Sequence, residues 1–117
     1  MDNYNNVDDL VAIHDLLIKN LQLFSSSFKI QKEKYKHAVL SDELASDFSD
    51  VDLERMKILF ENGWITEEQL KLGERIDSFL DEMNKDKSLW TDEAVKKSLE
   101  WEQCREMGLE LLASLGY

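Results

Sequence analysis

The stretch Val7–Phe28, VDDLVAIHDLLIKNLQLFSSSF, decides the fold. Val7, Leu10, Val11, Leu17, Ile18, Leu21 and Phe24 recur at three- and four-residue steps, which places them on one face of an α-helix. Asn6 stands where an N-cap belongs, and Asp8 and Asp9 suit the positive end of a first turn. Ile13, Leu16 and Leu23 form a second stripe that widens the apolar face, so this helix is expected to pack against more than one neighbour at the centre of a bundle. Ser25, Ser26 and Ser27 end or bend it, because serine side chains compete for backbone groups. Continuation through the serines is the alternative.

The rest of the chain supports a helical reading. Its 117 residues fit one domain. A hydrophobic fraction of 43% against 33% charged is enough for a core of modest size. There is no proline and there are only four glycines, so the punctuation that many short strands require is missing. Unbranched Leu, Glu, Lys and Met lose little rotamer freedom on a helix. These features predict an all-α, single-domain bundle of about five helices over residues 1–117.

Phe28–Leu40 carries Lys29, Lys32, Lys34, Lys36 and His37 interleaved with Ile30, Tyr35, Ala38 and Val39, and it reads as a second helix at the bundle edge. Ser41–Glu54 holds Asp42, Glu43, Asp47, Asp50, Asp52 and Glu54 with no basic residue, so like-charge repulsion predicts the least rigid connection of the fold. Ser49 resembles the N-cap of a helix through Leu53, Met56, Leu59 and Phe60, closed by Asn62 and Gly63. Thr66 with Gln69 has capping-box spacing, and Leu70, Leu72, Ile76, Phe79, Leu80 and Met83 supply the next buried face. Met56–Leu80 thus reads as an αα-hairpin turned at Asn62-Gly63. Its phrase Gly63-Trp64-Ile65-Thr66-Glu67-Glu68 resembles the turn of the short bacterial SHOCT helical hairpin, a likeness of capping chemistry that carries no function across. Thr91 is the N-cap of a last helix expected from Asp92 to about Ser114, packing through Ala94, Ser98, Trp101, Cys104, Gly108, Leu111, Leu112 and Leu115. No internal repeat connects these segments.

Chemical motifs are scarce. Near neutral pH imidazole suits acid–base or metal work, but His14 shares a face with Val11, Leu17 and Ile18 and reads as a core-edge residue, while His37 reads as surface. No Glu-x-x-His motif and no twelve-residue calcium loop occurs. Cys104 lies on a packing face beside Arg105 and reads as a small buried hydrophobe rather than a reactive thiol. Neither an internal disulfide nor a cysteine-rich zinc site is possible with one cysteine. No catalytic, cofactor-binding or metal-binding residue is therefore assigned, and the chain is not expected to be an enzyme. No apolar run approaches a membrane span, and the start lacks the pattern of a signal peptide, so a cytoplasmic location is expected.

Charge is the informative feature. Twenty-five acidic against 14 basic residues give a net charge of -11. Such a field disfavours phosphate backbones and anionic membranes and draws basic proteins, although acidity also serves solubility. Asp47, Asp50, Asp52 and Glu54 mark one candidate docking surface. Glu102, Glu106 and Glu110, at successive four-residue steps where like charges weaken a helix, mark another. Trp64 is a candidate aromatic anchor at a helix end, with Trp90, Trp101 and Tyr117 as further aromatics to consider.

In size, helicity and acidity the chain is similar in type to the immunity proteins of bacterial contact-dependent inhibition and colicin-like systems, whose toxins are often basic nucleases. The resemblance implies a monomer or weak dimer that binds a basic toxin domain directly, with carboxylates standing in for the phosphates a nuclease would grip. It carries no residue-level motif. Two other classes share part of the profile. A secretion chaperone or regulatory adaptor is also small and acidic but dimerises and presents an apolar groove. A DNA-mimic inhibitor spaces carboxylates along an elongated surface, a pattern interrupted by the lysines at 29 to 36.

Overall fold

The computed structural model describes residues 6–117. It is an all-α bundle. Helix α1 spans Val7–Phe24, and the Asn6 side chain accepts the Asp8 backbone N–H at 2.8 Å, as an N-cap should. The serines do end it. Ser27 turns extended and caps the short α2, Phe28–Lys34, which stops before Tyr35 instead of continuing to Leu40.

The largest departure from the sequence reading is the acidic stretch. Residues 40–61 form one helical rod, made of α3 (Leu40–Ser46), a π-helical segment (Asp47–Asp52) and α4 (Leu53–Glu61). The expected flexible connection at 41–54 is therefore corrected, and Ser49 lies inside the π segment and is not an N-cap. The physical reason is the inward stripe Leu40, Leu44, Phe48, Leu53, Met56 and Leu59, all buried. Burial of each such side chain is worth about 1.5–3 kcal/mol, against a few tenths for each like-charge pair at the surface. Carboxylates pointing outward are tolerable when the other face is this apolar.

Asn62-Gly63 closes α4 as expected. Gly63 has φ +77°, a conformation that glycine reaches without steric cost. The Trp64 N–H reaches Leu59 O at 2.8 Å and the Gly63 N–H reaches Phe60 O at 3.0 Å, the paired bonds of a Schellman cap. Helix α5, Glu67–Met83, opens on a complete Thr66–Gln69 capping box. A 3-10 turn, Lys87–Leu89, leads to α6 (Asp92–Lys97), capped by Thr91, and then to α7 (Leu99–Ser114). The single last helix expected from Asp92 is thus broken at Ser98. That residue is extended, and its hydroxyl accepts the Trp101 N–H at 3.1 Å, so capping one helix outcompetes continuing another.

Four rods make the body. Helix α1 packs on α4 and α7, and α5 packs on the same two, so α4 and α7 occupy opposite corners. Two of these helix contacts run over glycine: a Cβ at Gly73 on α5 would stand 2.6 Å from Met56 Sδ on α4, and one at Gly108 on α7 would meet Phe24 and Ser25 at the end of α1. The core runs through all the rods, from Leu17, Leu21 and Phe24 to Phe48, Ile76, Trp101 and Leu111.

One end of the body is fastened by polar bonds. Arg105 on α7 is nearly enclosed. Its Nε donates to Ser26 O at 2.9 Å, and its Nη2 donates to Val95 O at 2.8 Å and to Gln31 Oε1 at 2.9 Å. Gln31 is itself buried and donates to Leu23 O and Phe24 O. One guanidinium therefore joins the ends of α1 and α6 to α2 and α7.

Candidate functional site

The two acidic surfaces expected from sequence lie on opposite corners of the body and are not brought together. On the first, Asp50 and Glu54 are exposed, with Ser46 Oγ donating to Asp50 at 3.1 Å. Asp47 is half-buried and accepts the Tyr35 hydroxyl. Burial and this carboxylate raise the pKa of Tyr35.

Asp52 is not a surface residue at all: it is 1% exposed, which removes it from any docking face. It stands one helical step beyond Phe48 on the inward stripe, where it accepts Asn20 Nδ2 and Arg55 Nη1, each at 3.1 Å. Burial pushes its pKa up to about 7, against the opposing pull of Asn20 and Arg55. An acid whose pKa is raised on folding keeps its proton in the folded chain between about pH 4 and pH 7, so its contribution to stability falls as pH rises through that window and levels off above it. Asp52→Asn should therefore gain on the wild type, by on the order of a few kcal/mol, as pH rises from 5 to 8. Denaturant melts of both proteins across that range check this, and a pH-independent difference would mean that Arg55 keeps Asp52 ionised throughout.

On the second surface, Glu102, Glu106 and Glu110 are all exposed along the outer side of α7. Among the described residues, Glu102 alone of the three meets a cation, Arg105 Nη1 at 3.4 Å. Leu109 sits among them with more than half of its surface open. Glu106 is three residues before Leu109, so this side of α7 sets an exposed apolar side chain beside a carboxylate.

Trp64 follows the Schellman turn with its indole partly exposed, 6.4 Å from the His14 ring. Trp90 and Trp101 point inward instead, donating their indole N–H groups to Met83 O and Leu89 O. His14 is half-buried at the core edge, with Nδ1 3.6 Å from Asp15, and His37 is exposed. Cys104 is buried with Sγ 3.5 Å from Met83 Sδ, and burial pushes its thiol up to about 12. The neighbouring Arg105 pulls the thiol the other way, but burial outweighs it.

The sequence reading missed an acidic cleft of about 340 Å³ between the 40–61 rod and α5, where Asp42 faces Asp77 and Asp81 beside Trp90. Those aspartates lie on separate helices, and no spacing rule joins them. Among the described residues, no three of His, Cys, Asp and Glu converge as metal ligands, and no helix is long and apolar enough to cross a membrane. The chain matches no protein-family model, no curated protein and no solved structure.

Proposed function

We propose that this chain is an acidic protein-binding module that neutralises a basic toxin, foremost a nuclease, by direct binding. The observation that carries the reading is the set of exposed carboxylates distributed over the body, Asp50, Glu54, Glu102, Glu106 and Glu110 among them, on a chain with an excess of acid over base. A net charge of -11 adds a long-range field that steers a basic partner inward and speeds association at low salt. Desolvated anchors such as Leu109 and Trp64 then slow release.

The tagged chain, exposed to the lysate and secreted fraction of its source organism, should retain a basic polypeptide that elutes as salt rises. Replacing Asp50, Glu54, Glu102 and Glu106 by their amides lowers the net negative charge and, through the weaker field alone, should cut retention at low salt several-fold. Retention of an apolar polypeptide, insensitive to both salt and amides, would contradict the reading.

A second reading, a dimerising chaperone or adaptor, is favoured by one feature: an open groove between α5 and α7, lined by Phe79 and Met107, with Leu99 84% exposed at its edge. A stable dimer in sedimentation, lost on Leu99→Glu, would move the weight to it.

A further inference from the structure

Antiparallel packing brings three distant segments to one end of the body: the first half of α1, the turn between α4 and α5, and the last turns of α7 with the residues after it. Gly116, at φ +95°, closes α7 and turns the chain so that Tyr117 lies over α1. The His14 ring then stands 6.4 Å from Trp64 and 6.0 Å from Tyr117, between the two. Trp64 is 39% exposed and Tyr117 60%. Val7 and Val11 share the His14 face of α1 at helical spacing and are 64% and 43% exposed. Together they form an aromatic and aliphatic patch that the fold itself leaves uncovered.

The charge around this patch is of one sign. Segments 6–18, 58–70 and 108–117 contain no lysine or arginine. Exposed Asp8, Asp9 and Asp15 lie beside it on α1, and exposed Glu61, Glu67 and Glu68 flank Trp64 on α4 and α5. Among the described residues none of these carboxylates is paired with a lysine or arginine. Asp8, Asp9, Glu67 and Glu68 gain from helix N-termini, but Glu61 is the last residue of α4, where the helix dipole opposes it. Helix stability does not account for that carboxylate. The first basic residues along the chain, Lys19, Lys57 and Lys71, begin immediately beyond these segments. The α2 lysines, with Lys96 and Lys97, belong to the opposite end.

We infer that this acidic aromatic end is where the basic partner docks, with an arginine of that partner stacked on Trp64 and Tyr117 and its neighbouring cations met by the surrounding carboxylates. The inference rests on the basic-partner reading above and names the surface it uses. Arginine fits better than lysine, because its planar guanidinium stacks on aromatic faces while its edge pairs with carboxylates.

The test is a titration of the ¹⁵N-labelled full chain with a peptide of alternating arginine and leucine, with its lysine counterpart and with a glutamate counterpart. The indole N–H signals of Trp90 and Trp101, hydrogen-bonded inside, serve as fixed references. The arginine peptide should shift the Trp64 indole and the amides of Gly116 and Tyr117, and it should bind several-fold more tightly than the lysine peptide. Trp64→Ala and Tyr117→Ala should each weaken it about tenfold. Tyr117 is exposed enough that its loss leaves the fold intact, which guards against a folding artefact at Trp64. Shifts centred on Glu102 and Glu106 or on the Asp42–Asp77–Asp81 cleft would overturn this docking end while leaving the basic-partner reading in place. Binding of neither basic peptide would overturn both.

Discussion

Replacing Arg105 by alanine is expected to destabilise the fold by about 3–5 kcal/mol. The guanidinium is nearly enclosed, and its one carboxylate partner, Glu102, is itself well exposed. What stabilises the charge is a set of carbonyl oxygens: Ser26 O, Val95 O and Gln31 Oε1. Alanine removes the donor and leaves those acceptors buried without a partner, and each such loss costs about 1–3 kcal/mol. Glu102→Gln, by contrast, weakens a solvent-exposed pair worth at most about 1 kcal/mol. Urea unfolding of the two variants separates the cases, with a large drop in midpoint for Arg105→Ala and little change for Glu102→Gln. Equal small losses would mean that water reaches the carbonyls and that the guanidinium does not fasten this end.

Trp101→Ala should cost a similar amount, about 3–5 kcal/mol, by opening a cavity at the junction of α6, α7 and the 3-10 turn. Its ring is 1% exposed and meets Trp90 edge-on at a centroid distance of 5.5 Å. Its indole N–H donates to Leu89 O at 2.7 Å. Trp101→Phe keeps most of the volume and removes the donor, and should cost about 1–3 kcal/mol. Thermal melts of both, read by circular dichroism, give the comparison. A phenylalanine variant as unstable as the alanine one would place the energy in the hydrogen bond and not in the packing.

How much of this was legible in the sequence depended on whether the deciding interaction is local. Caps are local, and Asn6, Gly63, Thr66 and Thr91 all act as their spacing implies. The helical hairpin at Asn62-Gly63 and the buried stripes of α5 and α7 follow from periodicity, and on α1 so do Leu10, Leu17, Ile18, Leu21 and Phe24; Val7, Val11 and Leu16, expected on the same packing face, are exposed because no neighbouring helix covers them. In the acidic stretch the charge density points to a loose connection, but the apolar stripe from Leu40 to Leu59 that runs through it decides the structure. The same stripe is the signal that would have placed Asp52 inside, at a helical step from Phe48 and Met56. Arg105 and Gln31 had no such signal. Their partners are carbonyl oxygens distant in sequence, and only the packed fold brings them within reach. The functional surface was half legible: Trp64 was marked as an anchor by its place at a helix end, but its meeting with His14 and Tyr117 is tertiary.

The central claim is that an acidic bundle blocks a basic partner by covering it. The most direct test is the toxic or nuclease activity of the polypeptide that the chain retains, assayed with increasing amounts of the chain at low and at high salt. Activity should be lost at equimolar chain and restored by added salt and by Trp64→Ala. Undiminished activity in the bound complex would contradict it.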